Sequence, residues 1–253
     1  MAGSWFDLEG RVALVTGASR GLGRTMALAL ARAGADLVLV ARTASALEEV
    51  AAEVQQLGRK AVAVVADVTR EEDVRSMVRQ SMAAFDRIDI LVNNAGVGES
   101  RSLLELDVEQ WDHTMAVNVR GPMLCCKHVG PVMIEQRRGK IINVASVLAL
   151  RAARYMSLYC ASKAALVQFS RALALEWVRL NIQVNALCPG YFLTDMNREF
   201  FATDRGQQFI RDLPMKRLGQ PEELEGAVVF LASDASNYMT GACLLIDGGF
   251  HLA

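Results

Sequence analysis

The sequence predicts a doubly wound α/β fold, one parallel sheet of about seven strands with helices on both faces. Three observations carry this expectation. Short apolar runs rich in Val, Ile and Leu recur along the 253-residue chain. They lack the in/out alternation of half-exposed strands, as expected where both faces of a sheet are covered. Segments of helical period separate them, and such alternation builds right-handed βαβ crossovers.

The runs fall at 12–15, 37–40, 61–65, 88–92, 141–144, 182–187 and 243–246. Between the second and third, Leu47, Val50, Val54 and Leu57 recur at steps of three and four. Ser45 with Glu48 forms a capping box before them, and Gly58 closes the helix. Thr69 with Glu72 opens a helix running towards Phe85, and Asp107 with Gln110 opens another that Pro122 and Pro131 interrupt. Pro221, followed by Glu222 and Glu223, suits a first helical turn. No linker, repeat or break in composition divides the chain, so 1–253 is expected to be one domain. The least regular stretch, 191–220, follows the sixth strand and is expected to cover the substrate, because open α/β sheets bind ligands outside the carboxyl ends of their strands.

Composition narrows the function. Apolar residues at 52% with charged residues at 22% describe a folded globular chain. With 27 basic and 28 acidic residues, the chain has no long-range attraction for nucleic acid or an anionic membrane. The basic run Arg137-Arg138-Gly139-Lys140 reads as a solvated turn. No stretch approaches the ~20 apolar residues of a membrane helix, and residues 1–10 have no apolar core of a signal peptide. The five cysteines show no C-x-x-C pairing, and their odd number fits a reducing, cytoplasmic compartment. His113, His128 and His251 are dispersed, so no metal site is expected. Trp111 and Trp177 read as packing residues, and Cys160 is given no redox role.

Two motifs carry chemistry. The first strand runs into Thr16-Gly17-Ala18-Ser19-Arg20-Gly21-Leu22-Gly23 and then into an apolar helix ending at Gly34. Glycines there let the backbone turn and approach a pyrophosphate, while the helix N-terminus offers free N–H groups. The second motif is Tyr159-Cys160-Ala161-Ser162-Lys163, which sets Tyr159 and Lys163 on one helix face, thirteen residues after Ser146. An ammonium beside the phenol is expected to lower its pKa from near 10 towards the range useful for general acid–base work. At the end of the second strand, an acidic residue would bind a ribose 2′-hydroxyl. Arg42 stands there instead, with Arg20 in reach, and a guanidinium suits a 2′-phosphate. NADP(H) is therefore favoured over NAD(H).

The spacing T-G-x-x-x-G-x-G resembles that of the short-chain dehydrogenase/reductase family, and the resemblance runs from about residue 8 to residue 249. Asp67, Asn93-Asn94-Ala95-Gly96, Pro189-Gly190 and Asp247-Gly248-Gly249 match it further. It implies a Rossmann-type domain whose Gly17, Ser19, Arg20, Gly21, Leu22 and Gly23 hold the dinucleotide. Asp67 and Val68 would contact the adenine, Asn94, Ala95 and Gly96 would pass under the cofactor, and Pro189, Gly190 and Thr194 would meet its nicotinamide end. It further implies that Ser146 bonds the substrate oxygen and Tyr159 transfers the proton. Lys163 would hold the nicotinamide ribose and tune Tyr159, and Asn118 would bend its helix and hold a relaying water. A homotetramer joined through the fourth and fifth helices and the last strand is also implied.

The resemblance also implies a small carbonyl/alcohol pair as substrate. Its pocket is expected between the segment after Ser146 and 191–201, with Leu148, Leu150, Met156, Tyr191, Phe192 and Met196 as lining. Arg151 and Arg154 are expected to face water in preference to a substrate carboxylate. Leu218 to Glu223 is similar to 3-oxoacyl-carrier-protein reductases. Pro131 and Leu180, however, stand where those enzymes place the basic residues that dock the carrier. Asn181 to Asn185 and Pro189 to Phe192 resemble gluconate 5-dehydrogenases, whose polyhydroxy acid would want a more polar pocket. A moderately apolar ketone or 3-oxoacyl thioester is the first expectation. A silent dinucleotide-binding protein would be expected to lose Tyr159 or Lys163, and both are present.

Overall fold

The computed structural model describes residues 5–194 and 197–253. The expected alternation is realised strand by strand. β1 (Val12–Thr16) leads to α1 (Gly21–Arg32), β2 (Asp36–Ala41), α2 (Ala44–Gln56), β3 (Ala61–Val65) and α3 (Glu71–Phe85). The second half holds β4 (Ile90–Asn93), α4 (Val108–Met115), α5 (Gly121–Gln136), β5 (Gly139–Val144), α6 (Ser157–Trp177) and β6 (Ile182–Pro189). Two short helices, α7 (Arg198–Ala202) and α8 (Asp204–Asp212), precede α9 (Glu225–Ala232) and β7 (Cys243–Ile246). All seven strands pair in parallel, in the order β3-β2-β1-β4-β5-β6-β7.

Covered faces explain the unalternating apolar runs. In β1, Ala13 and Val15 pack with Met26 and Leu30 of α1, whereas Val12 and Leu14 join the opposite core around Met77, Val129 and Met133. Each strand still obeys a period of two, but both phases meet apolar partners. The strand order reverses between β1 and β4, which opens a cleft over their carboxyl ends.

Several expected helix ends shift. α2 starts at Ala44, with Thr43 as an N-cap that makes no side-chain cap bond, so the Ser45–Glu48 box is not formed. α3 starts at Glu71, because the Thr69 hydroxyl donates to Asp67 at 2.7 Å and does not cap a helix. The Asp107–Gln110 box does form, and Gly58 closes α2 with a φ of +77°. Neither proline breaks its helix. Pro122 sits in the first turn of α5 and Pro131 lies inside it; the irregularity is a π-turn over Ala116–Arg120. Pro122 has no N–H to return to the Asn118 carbonyl four residues back, so the register loosens there. The described residues 197–218 hold more regular structure than expected, since α7 and α8 enclose a small core of Phe201, Leu213 and Leu218. Among the described residues, no helix is long and apolar enough to cross a membrane.

Arg137-Arg138-Gly139-Lys140 is only partly a solvated turn. Lys140 lies in β5, buried, with its ammonium donating to the Ser236 hydroxyl at 3.1 Å. Burial pushes its pKa down to about 8, with Arg11 and Arg138 adding to the effect and Asp234 opposing it. Between about pH 8 and 10.5 the unfolded chain keeps a proton that the folded chain has released, so stability rises with pH across that window. Lys140→Met should therefore be more stable than the parent at pH 7 by on the order of 1–3 kcal/mol, and the gap should close towards pH 10.5. Urea unfolding at pH 7 and pH 10 checks this; a pH-independent gap would contradict it.

Candidate active site

The glycine loop is locked from behind by β4. The Thr16 hydroxyl accepts the Asn94 and Ala95 N–H groups at 3.0 and 3.1 Å, and the Asn94 amide donates to the Thr16 and Gly17 carbonyls at 3.0 and 3.2 Å. Gly17 and Gly21 hold φ of +66° and +54°, and a Cβ on Gly17 would stand 2.8 Å from the Asn94 amide nitrogen. Only glycine fits there, for both reasons. α1 then begins with neither a side-chain cap nor an acidic residue in its first turn. Its first N–H groups and the positive end of its dipole therefore face the cleft, and a pyrophosphate suits that donor set. Ser19 and Leu22 are half-buried at this turn.

The adenosine side is framed by charge. Arg20 and Arg42 are exposed and form no ion pair among the described residues. Burial resists ionisation of Asp67, but two hydrogen bonds from Thr69 and the charges of Arg42 and Arg70 hold its pKa below the ordinary carboxylate value. Val68 is buried against Gly121, where a Cβ would come within 2.9 Å of its methyl. At the other end of the cleft, the Thr194 methyl faces Gly21, and the Thr194 N–H donates to Asn197 at 2.9 Å. Gly190 closes on the β7 end, where a Cβ would lie 2.7 Å from the Asp247 Cα. Pro189 ends β6 beside Ile246.

Ser146, Tyr159, Lys163 and Asn118 converge although they come from three different elements. Ser146 follows β5 in extended backbone, with its hydroxyl accepting the Leu148 N–H at 3.1 Å. Tyr159 and Lys163 lie on α6, the Lys163 ammonium 5.7 Å from the phenol ring centre. That ammonium donates to the Val144 carbonyl at 2.9 Å. Asn118, in the π-turn, accepts the Val97 N–H at 2.9 Å and donates to the Val97 carbonyl at 2.8 Å and the Ser162 hydroxyl at 3.0 Å. Ser162 in turn donates to the Tyr159 carbonyl at 2.8 Å. A Cβ on Gly96 would lie 3.3 Å from the Lys163 ammonium and 3.4 Å from the Asn118 oxygen.

The expected lowering of the tyrosine pKa is not found. Burial pushes Tyr159 up to about 12, and only its hydrogen bond with Ser146 pulls it back. Burial also pushes Lys163 down to about 8. The field of one buried ammonium, already engaged by a carbonyl, does not offset the desolvation of a phenolate. In this arrangement Tyr159 is held as the neutral phenol.

The expected pocket lining divides. Leu148 is buried behind Ser146, and Met156 is half-buried at the start of α6. Tyr191 packs edge-on against Phe201, Phe209 and Phe250. Phe192 is buried: its ring lies under Gly219 and joins the main core. Leu150 is exposed, and Met196 lies outside the described residues. Arg151 is half-buried. It donates to the Phe250 carbonyl, whereas Arg154 is exposed. Pro131 is exposed and Leu180 half-buried, and neither is basic. No group of three metal-ligating side chains exists among the described residues. Sequence reading missed Thr16, Ser162 and Gly98. The first two lie inside motifs read only for their glycines, tyrosine and lysine, and Gly98 follows Gly96 by two residues.

A family profile described as enoyl-(acyl carrier protein) reductase matches residues 17–251. A 3-oxoacyl-[acyl-carrier-protein] reductase from Synechocystis is 38% identical over 244 residues, covering 96% of this chain and 97% of that one. A gluconate 5-dehydrogenase from Gluconobacter oxydans is 40% identical over 245 residues, 96% of each chain. Among solved structures, a gluconate 5-dehydrogenase from Burkholderia cenocepacia, in complex with NADP and tartrate, superposes with a TM-score of 0.94 at 37% identity over 98% of each chain. The chain belongs to the short-chain dehydrogenase/reductase family of oxidoreductases.

A Cβ on Gly98 would lie 2.9 Å from two carbons of the Tyr159 ring. Gly98→Ala should displace that ring and lower kcat by about tenfold to a hundredfold, with NADPH affinity changed less than about twofold. Steady-state kinetics alongside coenzyme fluorescence titration checks this.

Proposed function

We propose that this protein reduces a ketone to a secondary alcohol with NADPH, and runs the reverse reaction with NADP. The observation that carries this reading is the convergence of Ser146, Tyr159, Lys163 and Asn118 beside the glycine loop at the carboxyl ends of β4 and β5. Ser146 and Tyr159 would hold the carbonyl oxygen, so their hydroxyls stabilise charge as it develops there. Tyr159, a phenol with a raised pKa, would give its proton to that oxygen. The bound nicotinamide would supply the hydride to the carbonyl carbon. Lys163 would hold the nicotinamide ribose, and Asn118, fixed by Val97 and Ser162, would shape the π-turn where a relaying water could bind its neighbours.

The NADP(H) preference is supported by Arg42 and Arg20, exposed and without ion-pair partners among the described residues. The start of α2, which has neither a side-chain cap nor an acidic first turn, adds to it. In the family likeness, Gly17, Ser19, Gly21, Leu22, Gly23, Asp67, Val68, Asn94, Ala95, Gly96, Pro189, Gly190 and Thr194 complete the dinucleotide site. For the substrate, Leu148, Met156 and the Tyr191 wall favour a moderately apolar ketone or 3-oxoacyl thioester. The name of the Gluconobacter relative supports a second reading, a keto-sugar acid, but Arg151 is engaged by Phe250 and is not offered to a carboxylate. We take 1–253 as one domain covered by 191–220, in a homotetramer. Exposed Leu104, Val108 and Trp111, together with Leu175 and Val178 on and after α6, supply apolar faces for such an assembly. The five unpaired thiols suit a cytoplasmic location.

Tyr159→Phe should reduce ketone turnover by about a thousandfold, the upper part of the range for a positioned proton donor, while NADPH binding persists. Retained turnover in a ketone panel followed by reduced-nicotinamide absorbance would overturn the mechanism. Arg42→Asp should shift the NADPH-to-NADH ratio of kcat/KM by about a hundredfold towards NADH, since a carboxylate repels a 2′-phosphate and bonds a 2′-hydroxyl. The same assay run with both coenzymes checks it.

A further inference from the structure

The described residues 197–218 are joined to the sheet at a narrow neck. The Leu193 N–H donates to the Gly219 carbonyl and the Gly219 N–H to the Tyr191 carbonyl, both at 2.9 Å. Beyond that neck the lobe has its own small core, tied to its surroundings by the Arg217–Glu223 ion pair near the neck and, on the side of the site, by aromatic packing. Tyr191 is where the packing meets. Its ring centre lies 4.7 Å from that of Phe209 and 5.1 Å from that of Phe250, both edge-on.

Phe250 does not belong to the lobe. It follows β7, in a turn built by Asp247, whose carboxylate accepts the Gly249 and His251 N–H groups at 3.0 and 2.8 Å and pairs with the His251 ring at 2.7 Å. Gly248 and Gly249 supply the left-handed backbone, with φ of +59° and +80°. The exposed face of the Phe250 ring is covered by Arg151, with the guanidinium carbon 4.3 Å above the ring centre. The same guanidinium donates to the Phe250 carbonyl. Arg151 has no carboxylate partner among the described residues, so its charge rests on a carbonyl and an aromatic face. It stands five residues after Ser146, its N–H donating to the Val147 carbonyl at 3.1 Å.

Resting on the assignment of the carbonyl site to Ser146 and Tyr159, we propose that Arg151 and Phe250 form a clasp that positions Tyr191 as a wall of the substrate pocket and holds the 197–218 lobe over it. The linkage runs from the Ser146 segment through Arg151 to Phe250, and from Phe250 through Tyr191 to the lobe. Both are positioning residues: neither needs to touch the substrate. A planar guanidinium stacks and donates at once, which an ammonium cannot do. Loss of either member should loosen the lobe and weaken substrate binding while leaving the proton donor and the dinucleotide cradle in place.

The test pairs steady-state kinetics with hydrogen exchange on the full chain bound to NADPH. Arg151→Met and Phe250→Ala should each raise amide exchange at 198–212 and the ketone KM by about tenfold, with kcat and NADPH affinity within about twofold. The double variant should be no worse than the weaker single, as for two ends of one contact, and Phe250→Tyr, which keeps the ring, should behave as the parent. Unchanged exchange in the lobe, or additive losses, would overturn the clasp. So would a KM effect of Arg151→Met confined to carboxylate substrates and absent from Phe250→Ala, since that would make Arg151 a substrate ligand. If Arg151→Met does not fold, Arg151→Gln, which keeps a donor without the stacking cation, makes the same comparison. Exchange needs no turnover, so failure of the parent to reduce any ketone would reject the carbonyl-site assignment and still leave the lobe measurement to judge the clasp.

Discussion

Everything in this site depends on the joint between β1 and β4. There the strand order reverses, and the two strand ends are cross-tied by Thr16, Asn94 and Ala95. A sheet that reverses at this point must leave a cleft, and a cleft between diverging loops would be soft without a tie. Four hydrogen bonds among these residues and Gly17 make its floor rigid. The glycine loop can then stay bare of side chains, and the Asn94-to-Gly98 segment is carried on towards Tyr159. The glycine loop and Tyr159 are thus parts of one braced structure.

The electrostatics follow from depth. Tyr159 is half-buried and Lys163 buried, and desolvation pushes each towards its neutral form: the phenol keeps its proton, and the ammonium holds its own less firmly. The same desolvation disfavours a charged phenolate at the Tyr159 oxygen. It also makes every hydrogen-bond donor near that oxygen count for more than it would in water. Lys163 is held to Val144, Asn118 to Val97 and Ser162, so the polar groups are fixed before any substrate arrives.

The substrate side is built on different physics. The glycine loop rests on hydrogen bonds between the Thr16 and Asn94 side chains and backbone at the strand ends, whereas Tyr191 meets its neighbours through aromatic edges and Phe250 carries one stacked guanidinium. Such contacts lack the directionality of a ladder and can be remodelled one residue at a time. A braced cradle beside a remodelled cover is consistent with relatives that share this fold and carry the names of a 3-oxoacyl-carrier-protein reductase and a gluconate 5-dehydrogenase.

The seven strands, the glycine turn and the Ser146–Tyr159–Lys163 set were legible in the sequence, because each is governed by local rules. Apolar runs must be covered, left-handed turns require glycine, and residues four apart share a helix face. The capping box at Ser45 was misread because Thr43 lies extended before a helix that starts one residue earlier, at Ala44. Arg151 was expected to meet water and Phe192 the substrate. Their fates rest on Phe250 and Gly219, which lie 99 and 27 residues away in sequence. The direction of the Tyr159 shift was missed for the same reason: spacing brings an ammonium near a phenol, but depth of burial decides which effect wins. The sequence by itself determined which groups exist and which local geometry each must take. Only the tertiary structure decided which of them are dry, which are already engaged and which face the cleft, because solvation and long-range packing are properties of the folded whole.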